Sequence, residues 1–135
     1  MGLAERRIVK EFQDKQLPKL EAEIHKLAGF TVPIEILWDQ LAEDGTQSYC
    51  AEAWVEIFFK PVIEGLRQIG RDDIGKEALK AGLKRIEFRN SKGTANPANV
   101  ISFAGGTLQI DHRLANVDET LARTQCLVET VEKGL

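Results

Sequence analysis

VISFAGGTLQIDH, Val100 to His112, holds two alternating runs on either side of Gly105-Gly106. Two adjacent glycines between runs of period two predict a tight hairpin, because both residues accept a positive φ. Such a turn fixes the register. Ala104 lies opposite Thr107, Phe103 opposite Leu108 and Ile101 opposite Ile110, which puts both apolar pairs on one face.

Moving outward, KRIEFR (84–89) alternates Ile86 and Phe88 against Arg85, Glu87 and Arg89, and the loop NSKGTANPAN joins it to the hairpin. Nearer the start, TVPIEILWD alternates Val32, Ile34, Ile36 and Trp38 against polar or exposed positions, with Pro33 pointing to an edge or early strand position. The expected sheet has four strands. Its apolar face turns toward helices, and its other face carries Glu35, Arg85, Glu87, Arg89, Ser102, Gln109 and Asp111.

Helical spacing of apolar residues accounts for the rest of the chain. Leu3 to Ala28 has Val9, Phe12, Leu20, Ile24 and Leu27 on one stripe, stops at Gly29, and meets Pro18, which demands a kink or a second helix beginning at Leu17. Ser48 to Ile69 is apolar over half its circumference. Its stripe of Cys50, Trp54, Ile57 and Phe58 is flanked by another of Val55, Phe59, Val62 and Leu66, with a bend expected at Pro61. A shorter helix spans about Asp72 to Leu83. The last opens with Asn116 and Glu119 as a variant capping box and buries Val117, Leu121, Val128, Val131 and Leu135. The reading is one α/β (α+β) domain over residues 1–135, a two-layer sandwich. Four helices cover one face of about four mostly antiparallel strands, in the order α-β-α-α-β-β-β-α.

Composition narrows the function. The 135 residues are 43% hydrophobic and 29% charged with a formal charge of −3, ordinary for a soluble domain and without the basic footprint that nucleic-acid binding requires. No apolar run approaches a membrane span or a signal peptide, so a cytoplasmic protein of bacterial style is expected. Cys50 and Cys126 match neither a zinc nor a redox spacing, and with His25 and His112 the only histidines, neither a metal nor a cofactor is expected.

Asp111-His112 invites a catalytic reading, but successive strand residues point to opposite faces, so the acid cannot orient the imidazole within a regular strand. Nothing else converges on a catalytic set. The leading expectation is a non-catalytic binding or regulatory module acting through a protein partner or a homodimer. The helix stripe at Phe59 and Leu66 and the sheet face at Arg85 and Glu87 are its candidate surfaces. The alternative is an enzyme or metabolite-binding domain with a small-molecule pocket near Trp38 and His112, to which Arg89 and Lys92 could add charge.

Overall fold

The computed structural model describes residues 1–135, apart from the side chains of Pro97 and Ala98. Its architecture is mixed α/β around one four-stranded sheet. The hairpin forms as its sequence dictates, between β3 (Ile101–Ala104) and β4 (Thr107–Asp111), in the expected register and with Gly105 and Gly106 at φ 60° and 83°.

The sheet corrects the expectation of mostly antiparallel strands. Its order is β1-β2-β4-β3, and β1 (Ile34–Ile36), β2 (Arg85–Arg89) and β4 all run parallel. Alternation encodes which face a residue takes and says nothing of strand direction. The direction comes from the connections: a long helical excursion returns the chain from β1 to β2, and after β2 the chain goes first to the far edge as β3. The hairpin then folds β4 into the slot beside β2. Rows of register partners confirm the two faces. Ile34, Ile86, Leu108 and Phe103 share one row on the apolar side, while Glu35, Glu87, Gln109 and Ser102 share a polar row on the other.

The chain also has more helical segments than the four expected. The first segment splits at Gln16 into α1 (Leu3–Lys15) and α2 (Leu17–Ala28), with Pro18 in the first turn of α2, where its missing N–H costs nothing. Short helices α3 (Trp38–Leu41) and α7 (Pro97–Val100) occupy positions read as strand and loop. The third is a continuous helix made of α4 (Cys50–Trp54), a π-helical turn (Val55–Phe59) and α5 (Lys60–Ile69). Where a bend at Pro61 was expected, a π-helical turn lies just before it, with the Lys60 N–H bonded to the Val55 carbonyl. Then α6 (Asp73–Gly82) starts on Asp72, whose carboxylate accepts the Gly75 N–H at 2.8 Å.

The final helix, α8 (Thr120–Gly134), starts four residues later than its expected cap. Asn116 adopts φ 54° in the preceding loop, so no capping box forms. The buried stripe of α8 is accordingly Arg123, Thr124, Leu127 and Val131, and Leu121 lies on the exposed side.

Helices gather on the apolar face. Phe58 and Phe59 lay their rings against Phe88 of β2, with centroids 5.2 and 5.0 Å apart, and Phe12 of α1 joins Trp54 at 5.1 Å. Phe59 and Leu66, expected as an interaction surface, have no exposed area. α5 is flanked by α2 on one side and α8 on the other, so both stripes are consumed inside the fold. Gly65 lets α8 come close, since a Cβ there would sit 2.5 Å from Leu127 Cδ2.

Candidate functional site

A surface depression lies along β1, at the edge of the sheet. A groove of about 470 Å³ runs between the start of α2, which contributes Leu17 and Glu21, and the strand itself, and it is closed by Trp38 and Arg85. A second depression of about 360 Å³ shares Ile36 and Trp38 with it and continues toward Gln40. Trp38 is a stiff wall for both. Its half-buried indole is wedged edge-on against Trp54 at 5.3 Å and Phe12 at 5.8 Å, so the core fixes its orientation.

Main-chain geometry gives this groove its chemistry. The Ile86 N–H donates to the Pro33 carbonyl at 2.9 Å and the Leu37 N–H donates to the Phe88 carbonyl at 3.1 Å. Backbone polar groups alternate in direction along a strand, so the odd-numbered residues of this segment face β2. The N–H and C=O groups of Ile34 and Ile36 therefore point outward. Among the described residues no strand meets them, because β1 is the end of the sheet.

On the open face of the sheet, Arg85 is held between Glu35 and Glu87, its Nε lying 3.1 Å from Glu87 Oε2, and Arg89 Nε donates to Glu87 Oε1 at 3.0 Å. Arg89 and Glu87 are thus committed to each other. Arg85 belongs both to this ladder and to the groove wall, and so joins Trp38 there.

The remaining ligand-binding candidates lie elsewhere. Lys92 has an exposed side chain, and its backbone N–H donates to Asp111 Oδ1 at 3.2 Å. The same carboxylate accepts the Ser91 N–H at 2.8 Å and the Ser91 hydroxyl. Burial alone would raise the Asp111 pKa, but the Ser91 and Lys92 hydrogen bonds outweigh it and the net shift is downward. Asp111 is an anchor for the loop after β2. β4 ends at Asp111, so strand alternation does not govern the Asp111-His112 pair; the Asp111 carboxylate is taken by Ser91 and Lys92, and the His112 ring bonds the Arg113 carbonyl instead.

His112 has no exposed surface and lines neither depression. Its Nδ1 donates to the Arg113 carbonyl, which leaves Nε2 as an unpartnered buried acceptor. Burial depresses its pKa. The Arg113 carbonyl opposes that shift, as does Glu43, while Arg123 adds to it. Arg123 is itself fully buried and donates to the carbonyls of Asn116 at 2.7 Å, Val117 at 2.8 Å and Glu56 at 3.2 Å. This cation ties the loop before α8 to the π-helical turn.

Sequence reasoning placed Trp38 in a pocket with His112 and Arg85 on the open sheet face; the structure brings Trp38 and Arg85 together at the β1 groove with Leu17 and Glu21, whose approach to β1 depends on how α2 packs. Sequence reasoning missed Arg123, although a cation four and eight residues before Leu127 and Val131 on an apolar stripe is a readable signal. Cys50 is buried, which raises its thiol pKa and leaves it inert, and Cys126 is half-buried. Among the described residues no group of three or more His, Cys, Asp or Glu side chains is arranged to hold a metal, and no helix is long and apolar enough to cross a membrane. Comparison with protein-family models, with curated proteins and with solved structures finds no match to this chain.

Proposed function

We propose that the protein is a non-catalytic binding module that takes up a segment of another polypeptide as an added strand beside β1. The observation that carries this reading is the pairing of outward-facing main-chain groups at Ile34 and Ile36 with a groove of mixed apolar and charged lining directly alongside. Strand addition needs both: the main chain supplies affinity and the groove selects alternate side chains. Three buried polar groups of the chain serve the fold: Asp111 fixes a loop, Arg123 satisfies carbonyls, and His112 is sealed from solvent. That favours recognition through the β1 main chain over the alternative of a pocket near Trp38 and His112.

The test is a selection of random peptides displayed on phage against the intact protein, followed by calorimetry of the winners on two groove variants. Ile36→Pro removes an outward N–H while leaving the β1–β2 bonds in place, because proline is tolerated on a strand edge. Leu17→Arg fills the opposite wall. Selected peptides should bind the parent protein and lose binding to both variants, each checked for its fold by circular dichroism. Failure to enrich any peptide, or peptides that bind both variants as well as the parent, would sink the reading.

A further inference from the structure

We infer that the segment bound at β1 is basic: an extended stretch of a partner protein in which apolar side chains alternate with polar ones and a lysine or arginine meets Glu21. This rests on the strand-addition reading and specifies its occupant. Ile34 and Ile36 expose donors and acceptors two residues apart, a repeat that an extended polypeptide backbone matches along its whole length. On the helix side of that edge, Leu17 and Trp38 form an apolar wall, so every second side chain of the incoming strand meets apolar surface.

Charge then sets the sign of the remainder. Of the three charged residues lining the groove, Arg85 is spent on Glu35 and Glu87, and Glu21 has no ion pair among the described residues. The uncommitted charge in the groove is negative. A phosphate backbone would be repelled by it. A second copy of the chain is also a poor occupant, because its own β1 carries a single charged residue, Glu35, and offers no cation to Glu21.

The experiment titrates ¹⁵N-labelled protein with synthetic end-blocked peptides and follows the backbone amides of Ile34 and Ile36. One peptide alternates valine with serine and carries lysine in place of its central valine, on the series that turns toward Leu17 and Glu21; a second has glutamate at that place, and a third is the basic peptide N-methylated on every other amide along one edge. A fourth carries the methyls on the opposite edge. The basic peptide should shift both amides and bind about fivefold more tightly than the acidic one, the effect of one partly exposed ion pair. One of the two methylated peptides should fail to bind. Glu21→Lys should reverse the charge preference, and Glu21→Gln should erase it. Equal binding of basic and acidic peptides, unaffected by Glu21→Lys, overturns the inference about charge and leaves strand addition standing. If no peptide moves the Ile34 and Ile36 amides, or if the shifts fall on β3 instead, strand addition at β1 fails and takes this inference with it.

Discussion

Arg123 of α8 donates through Nη2 to the main-chain carbonyl of Glu56, 3.2 Å away, which the helix containing it cannot satisfy. The Lys60 N–H, which an α-helix would direct to Glu56, bonds Val55 instead across the π-helical turn. The next residue is Pro61, with no N–H to give. Arg123 takes up the orphaned carbonyl, while the Thr120 hydroxyl gives its one proton to the Glu56 carboxylate at 2.7 Å.

Replacing Arg123 by methionine should therefore destabilise the protein by about 3 kcal/mol or more, since three carbonyls lose a donor in a dry interior. Lysine should recover little, because a single ammonium cannot copy the planar fork that spans Asn116, Val117 and Glu56. Urea denaturation of both variants measures the difference.

Acid should weaken the fold in two stages. An unfolded histidine takes up a proton near pH 6.5, whereas His112, buried beside Arg123, does so only at a lower pH, Glu43 being the nearby opposing charge. Between those two values the unfolded state binds more protons, so stability falls as pH drops below about 6.5. Asp111, whose folded pKa lies below 3.8, adds a second loss under that value. Thermal midpoints across pH should show both stages in the parent and only the lower one in His112→Gln.

Asp111→Asn should free the loop that follows β2. Asparagine keeps an oxygen where Oδ1 accepts the Ser91 and Lys92 N–H groups, but it loses the charge that strengthens both bonds and sets an amide nitrogen against the Ser91 hydroxyl. A cost of about 1–3 kcal/mol is expected. Hydrogen exchange at Ser91 and Lys92 should rise more than at Ile86 or Ile110, which lie within the sheet.

The two hairpin glycines should respond unequally to alanine. Both have positive φ, which costs a side chain about 1–2 kcal/mol. At Gly105 the space for a Cβ is open, whereas at Gly106 it would lie 2.9 Å from the Gly82 carbonyl oxygen and 2.4 Å from Lys84 Cγ. Gly106→Ala should lower the melting midpoint more than Gly105→Ala. An equal effect would mean that the Lys84 segment shifts aside freely.

Local rules made the hairpin readable, because Gly105-Gly106 and the alternation of Ile101, Phe103, Leu108 and Ile110 demand the same register. Pro33 left both an edge and an early strand position open, and the place of β1 beside β2 was not readable. Strand direction was not readable, since parallel and antiparallel neighbours show the same alternation. The start of α8 was missed because Asn116 is held in a left-handed conformation by a loop whose carbonyls serve Arg123, a constraint from a distant part of the fold. Of the groove, Trp38 and Arg85 were legible as candidates on separate surfaces, while Leu17 and Glu21 look like any other helical surface until α2 is set against the sheet.

β1 is only three residues long, and just two of them turn their main chain outward. Whatever lies along it gains at most four backbone hydrogen bonds, each worth about 1 kcal/mol net of water. Such a grip is set by its rate of release, because affinity differences among related complexes reside mainly in dissociation. Under the strand-addition proposal, a partner held this way would leave and return quickly, so that occupancy would track the partner's local concentration.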